Sequence, residues 1–140
     1  ECVRDVLHNT QCPKLLRSAI EIGTADRDAR LRAKAMEYLA VMLQRWSDPA
    51  IEKSIQAVDD AIRKGMKDAN SEARAAARRC YWAISPRWPD RAQRILASID
   101  PSTHRLLLQK NTSFVANAQY LHKSKASEHT LTGKLTICQR

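Results

Sequence analysis

The sequence predicts an all-α chain: an α-solenoid of antiparallel helical hairpins over residues 1–109, followed by a basic, mostly disordered tail over 110–140. Three observations predict it. Apolar residues recur at three- and four-residue steps in one stretch after another, the period of a helix with one buried stripe. Those stretches are separated by capping residues and prolines, which stop one helix and start the next. The segment from Thr24 to Lys34 also resembles the segment from Asp68 to Arg78, 44 positions later.

The repeat is read letter by letter. Ala25 matches Ala69, Asp26 matches Asn70, Asp28 matches Glu72, Ala29 matches Ala73, Arg30 matches Arg74, Ala33 matches Ala77 and Lys34 matches Arg78. A period of this size, with two helices per unit, is that of HEAT-like or armadillo-type hairpins, which bury their apolar faces by stacking on neighbours.

In chain order, Cys2, Val3, Val6 and Leu7 have helical spacing, but a helix over 2–9 is too short to stand alone. It reads as the second helix of a hairpin whose first half lies upstream. Pro13 restarts the chain, and Leu15, Leu16, Ala19, Ile20 and Ile22 form an apolar face that Gly23 ends. Asp26 then caps a long helix with the stripe Leu31, Ala35, Tyr38, Leu39, Met42, Leu43 and Trp46. Ser47, Asp48 and Pro49 open the next helix, with Asp48 as cap, and Ile51, Ile55, Val58, Ile62 and Met66 give it an unbroken stripe. Asp68 and Ala69 bend the chain, Asn70 caps, and Ala73, Ala77, Cys80, Tyr81 and Ile84 make the buried stripe of the following helix. Pro86 and Pro89 punctuate the link to a helix through Ala92, Ile95, Leu96 and Ile99. Asp100 and Pro101 begin a last short one that fades near Gln109. Because solenoid faces are hidden only by stacking, the outer face of 1–9 and 13–22 should expose leucine, isoleucine or valine.

Beyond Lys110 no apolar period is sustained, and serine, threonine, lysine and asparagine dominate, as in a disordered segment. The net charge of +9 is shared: residues 1–110 hold 20 lysines and arginines against 14 acidic residues, and 111–140 hold four against one. Such a chain is drawn to an acidic surface, whether protein, nucleic acid or anionic membrane. No apolar run approaches the roughly 18 residues of a membrane span, and nothing resembles a signal peptide. The chain begins with Glu1 and reads as a piece of something longer.

Catalytic and metal chemistry find no foothold. Cys2, Cys12, Cys80 and Cys138 lack the paired spacing of a zinc site and read as free thiols; His8, His104, His122 and His129 form no two-histidine helical motif. There is no phosphate-cradling glycine loop and no nucleophile elbow, so the sequence implies no enzyme, no cofactor and no metal. Asp59 and Asp60 are adjacent and point to different faces of their helix. The tryptophans and Tyr81 sit at core positions, where packing outweighs base stacking.

What remains is an edge. In a stack of hairpins the turns within repeats line up, which brings residues 23–30 beside 67–74. Arg30 and Arg74 lie about four positions past their caps, where a cation slightly opposes the macrodipole, so helix stability does not explain them. The plain alternative is a solvated arginine with its stem over a neighbour. Arg27 and Lys67 flank the pair.

Ala61-Ile-Arg-Lys-Gly-Met-Lys-Asp-Ala-Asn-Ser-Glu-Ala-Arg-Ala-Ala-Ala-Arg-Arg-Cys-Tyr-Trp82, with Arg30-Leu-Arg-Ala-Lys-Ala-Met-Glu-Tyr-Leu-Ala-Val-Met-Leu-Gln-Arg-Trp46 upstream, closely resembles the TOG domains of the CLASP, or CLIP-associating, family of microtubule-stabilising proteins. The resemblance covers about residues 1–109. It implies the end of the third HEAT-like repeat, then the fourth, fifth and sixth. It also implies a non-catalytic module that contacts tubulin near Thr24, Arg27 and Arg30 in the fourth-repeat turn, and near Lys67, Asn70 and Arg74 in the fifth. The implied partners are tubulin and microtubules, with other microtubule-associated proteins reached through the parent protein and no membrane. The implied place is the cytoplasmic cytoskeleton, including spindle and kinetochore. Two rival readings stand beside it: a generic HEAT adaptor for another acidic protein and, behind that, a helical-repeat nucleic-acid binder held by phosphate contacts.

Overall fold

A computed structural model describes residues 11–109, in which seven helices and no strand occur. They are α1 (Pro13–Ala25), α2 (Ala29–Arg45), α3 (Asp48–Glu52), α4 (Ile55–Met66), α5 (Ser71–Ile84), α6 (Pro89–Ser98) and α7 (Pro101–Gln109). The readings made for residues 1–9 and for the tail lie outside the described residues. The chain divides into two compact units within α7, after Arg105.

In the first unit α1 and α2 form one hairpin, and α4 and α5 form the next. The hairpins stack helix on like helix: α2 lies against α5, and α1 against α4, with α6 following on α4. The expected stripes supply the core. Leu16, Met36, Leu39, Leu43, Ile51, Val58, Ile62, Ala73, Ala77, Cys80, Ile84 and Ile95 are fully buried. Each Leu, Ile or Met removed from water contributes about 1.5–3 kcal/mol, so this shared layer is what holds the hairpins together. Leu15 and Ile22, two helical turns apart on α1, are exposed, as the outer-face expectation requires of the 13–22 segment; Leu31, expected on the buried stripe of α2, is exposed instead, and Met36, outside that stripe, is buried.

Four local readings are corrected. Gly23 does not end α1, which runs two residues further to Ala25; Gly23 is buried, and a Cβ there would lie 2.9 Å from Met36 Sδ. Gly65 is its counterpart, where a Cβ would lie 2.9 Å from both Ala77 Cβ and Met36 Cε. Met36 is thus seated between two glycines: Gly23 lets α1 approach α2 closely, and Gly65 leaves room for the tip of Met36 and for Ala77 of α5. Asp26 is not the cap of α2; that is Asp28, whose carboxylate accepts from the Arg30 amide at 2.8 Å. The continuous helix expected over 49–66 is broken at Lys53 and Ser54: Ser54 N–H donates to the Ile51 carbonyl in a tightened turn, and α4 then restarts while all five stripe residues stay buried. Asp48 does not cap α3 but turns its carboxylate to Arg87.

The other caps follow the sequence. Asn70 Oδ1 accepts from the Glu72 and Ala73 amides at 2.8 and 3.2 Å. Asp100 accepts from the Thr103 amide and from the hydroxyls of Ser102 and Thr103. Those hydroxyls, led by Ser102, and the Thr103 amide hold its carboxyl well below the usual carboxylate range. Asp59 and Asp60 diverge as expected: Asp59 is buried and receives Arg91 Nη1 at 2.6 Å, whereas Asp60 is exposed and pairs with Arg63.

Candidate functional site

The two turns within hairpins are built alike, and their hydrogen bonds set the true register of the repeat. Asp26 Oδ1 accepts from the Asp28 amide, and Asp68 Oδ1 from the Asn70 amide, both at 2.8 Å. Asp28 and Asn70 are the respective N-caps. Arg32 Nη1 donates to the carbonyls of Asp26 and Arg27; Arg74 Nη1 donates to those of Asp68 and Ala69. Every equivalence, Gly23 with Gly65 included, is 42 residues, not 44. The counterpart of Arg74 is therefore Arg32, and the counterpart of Arg30 is Glu72. Three of the seven pairs in the 44-residue match are alanines, which recur along both helices and align at more than one helical offset.

Arg32 also joins the turns to each other. Its Nε donates to Asp68 Oδ2 at 2.7 Å and its Nη2 to Asp68 Oδ1 at 3.0 Å, a bidentate pair with both side chains largely shielded. The Arg32 hydrogen bond, then the Asn70 amide and the positive charge of Arg74, hold the Asp68 carboxyl below its ordinary range against the opposing effect of burial; Arg32 is correspondingly raised. Thr24, Asp26, Arg32, Lys64, Lys67, Asp68 and Ala69 line an open groove of ≈ 340 Å³ between the turns.

The predicted site residues fall on this edge in different states. Arg27, Arg30 and Lys67 are exposed, and no hydrogen bond or ion pair holds their side chains among the described residues. Thr24 is half-buried and donates its hydroxyl to the Ile20 carbonyl at 2.8 Å, while Asn70 spends its side-chain oxygen on the cap. Arg74 is half-buried, with Nη1 braced on its own turn; its Nε and Nη2 meet no carboxylate among the described residues, in contrast to Arg32. Arg78, one helical turn beyond, is lowered by burial and by the charge of Arg74. By count the edge is not strongly basic, since residues 23–30 and 67–74 each hold two cations and two acids. Placement makes the difference: Asp26, Asp28 and Asp68 are turned onto amides or Arg32, leaving the cations outward, with Glu72 exposed on the first turn of α5.

Sequence reasoning missed Arg32, Asp68 and Lys64. The signal was present in the spacing Asp-x-(Asp/Asn)-x-x-x-Arg, found at 26–32 and again at 68–74. Among the described residues no cluster of histidine, cysteine or carboxylates could hold a metal ion, and no helix is long and apolar enough to cross a membrane.

A family described as CLASP N terminal matches residues 1–108. The chain belongs to that family. Among curated relatives, a CLIP-associated protein of Arabidopsis thaliana is 38% identical over 111 residues, covering 79% of this chain and 8% of the relative. CLIP-associating protein 1 of Xenopus tropicalis is 27% identical over 137 residues, 96% of this chain and 9% of the relative. Protein stu1 of Aspergillus oryzae is 33% identical over 135 residues, 93% of this chain and 11% of the relative. The chain thus spans about a tenth of the length of the relatives it matches. The HEAT-like hairpins of this CLASP-family chain are the setting in which the edge between its turns is to be understood.

Proposed function

We propose that this CLASP-family segment is a non-catalytic tubulin-binding module of a microtubule-associated protein, and that it meets tubulin along the edge formed by the 24–32 and 67–74 turns. The observation that carries the reading is the division of labour on that edge. Its aspartates are spent on backbone amides and on Arg32, whereas Arg27, Arg30, Lys67 and the Nε–Nη2 side of Arg74 have no partner among the described residues. Cations held outward on braced turns suit the acidic surface of tubulin, and rigid placement limits the ordering cost of binding. Family membership supports the same reading, and the cytoplasmic microtubule cytoskeleton is where such a module acts.

The test is tubulin binding by the full 140-residue chain carrying Arg30→Glu or Arg74→Glu, with Arg45→Glu as control. Arg45 is exposed in the last turn of α2, at the opposite edge. We expect each turn variant to weaken binding by about 10-fold, with part of the loss screened by salt, and the control to stay within about 2-fold. Arg74→Glu also removes a brace on two carbonyls and lowers stability modestly, so Arg30→Glu is the cleaner variant. Equal losses from all three variants point to diffuse charge attraction, and no loss from either turn variant removes tubulin from this edge and favours an adaptor for another acidic protein.

A further inference from the structure

Arg32 and Asp68 lie between the two turns and are spent on each other, so neither is a free group for a partner. Arg32 nevertheless touches both turns at once: Nη1 holds the Asp26 and Arg27 carbonyls, and Nε and Nη2 hold the Asp68 carboxylate. Asp68 in turn holds the Asn70 amide that starts α5, and its own carbonyl is held by Arg74. A continuous chain of hydrogen bonds therefore runs from the Arg27 backbone to Arg74, through two residues that present nothing to solvent but a rim. Their side chains are only 18% and 10% exposed.

Resting on the tubulin reading above, we infer that Arg32 and Asp68 are positioning residues: their bidentate pair fixes the spacing of the two turns, so that the cations of both engage one partner surface together. Two contacts on a rigid body bind better than two on a loose one, because the second is made without a further ordering cost. The inference gives a sign that simple charge attraction does not. Asp68→Asn raises the net charge of the edge by one, and attraction to an acidic partner alone would tighten binding. Loss of positioning weakens it. Asparagine keeps an oxygen that can still accept from the Asn70 amide, so the turn can form but is no longer tied by a charged pair to Arg32.

The experiment measures binding of tubulin heterodimer by the full chain and its Asp68→Asn, Arg32→Lys, Arg74→Glu and Arg30→Glu variants, at a temperature where circular dichroism shows each folded. Arg32→Lys keeps the charge and loses the planar fork. We expect Asp68→Asn and Arg32→Lys each to weaken binding by about 5-fold, with faster amide exchange at Asp28 and Asn70, and Arg32→Lys to leave the salt dependence of binding unchanged. Tighter or unchanged binding by Asp68→Asn overturns the inference. Should Asp68→Asn not fold, Arg32→Lys decides: unchanged affinity or unchanged exchange at the two turn amides also overturns it. If Arg74→Glu weakens binding and the pair variants do not, only the positioning role fails; if Arg74→Glu and Arg30→Glu both bind as well as the parent chain, the tubulin edge itself fails.

Discussion

Arg87 ties the first hairpin to the second at the edge away from the turns, and its removal should cost clearly more than a typical surface change. Its Nη1 donates to the Leu43 carbonyl at 2.6 Å and its Nη2 to the Trp46 carbonyl at 2.8 Å, while Nε reaches Asp48 Oδ1 at 2.6 Å. Its guanidinium also lies 4.7 Å from the ring centroid of Trp88. The Leu43 carbonyl is one of the last of α2, which leave their helix without an intrahelical partner. A hydrogen bond from a charged donor is worth about 1.5–3 kcal/mol, and the half-exposed Asp48 pair and the ring contact add less than about 1 kcal/mol each. Arg87→Ala leaves the Leu43 carbonyl without its donor and takes one donor from the Trp46 carbonyl, although water recovers part of the loss. The expected destabilisation is about 2–4 kcal/mol. Urea unfolding of the 140-residue chain followed by circular dichroism measures it. Arg87→Lys should recover at most about half, since an ammonium cannot span the same acceptors, and Asp48→Ala should cost under about 1 kcal/mol. A loss below about 1 kcal/mol for Arg87→Ala would refute the claim that these carbonyls depend on Arg87.

Two further outcomes follow from particular contacts. Gly65→Ala places a methyl 2.9 Å from Ala77 Cβ, which is fixed to the backbone of α5, so overpacking of about 1–3 kcal/mol should outweigh the gain of about 1 kcal/mol in helix propensity. Gly23→Ala presses closely only on the Met36 side chain, with the Met36 backbone nitrogen at an ordinary 3.6 Å, and should be milder; equal thermal midpoints for the two variants would argue against the close approach of α4 to α5 at Gly65. The Asp68 carboxyl lies below its unfolded value, so its contribution to stability is present above about pH 4 and is lost as pH falls through the folded value. Acid unfolding curves of the parent chain and Asp68→Asn should therefore converge below pH 4, and a constant gap down to strong acid would exclude Asp68 as the source.

Much of the hairpin architecture was legible because it depends on local rules. A three-to-four-residue apolar period, prolines at the starts of α1, α6 and α7, and the Asn70 cap each act within one helix, and each appears where the pattern places it. The misreadings arise where a residue answers to a distant partner. Asp48 has the composition of a cap but serves Arg87, 39 residues away. Gly23 has the composition of a helix stop but makes room for Met36. The break at Lys53 and Ser54 occurs inside a stripe that continues in register across it, so periodicity alone does not reveal it. Arg32 lay between apolar neighbours in a segment quoted for its alanines, and only its 36-residue partnership with Asp68 shows what it does.

The register of the repeat decides which arginine can be reversed without harm, and this gives a test that separates 42 from 44. If Arg30 were the counterpart of Arg74, it should brace its turn, and Arg30→Glu should loosen the hairpin. In the structure Arg30 is exposed, contributes only its amide to the Asp28 cap, and corresponds to Glu72, where the second turn already carries an acid. An acidic side chain in the first turn of α2 also suits the macrodipole, by about 0.3–1 kcal/mol. Arg30→Glu should therefore leave the thermal midpoint unchanged or slightly raised. Arg32→Glu should do the opposite, because it sets a carboxylate against Asp68 and against the Asp26 and Arg27 carbonyls in place of three donors to them. Its midpoint should fall clearly, and more at low salt than at high salt, since like charges are then less screened. A fall in midpoint for Arg30→Glu larger than that for Arg32→Glu would return the repeat to its 44-residue alignment and with it the pairing of Arg30 with Arg74.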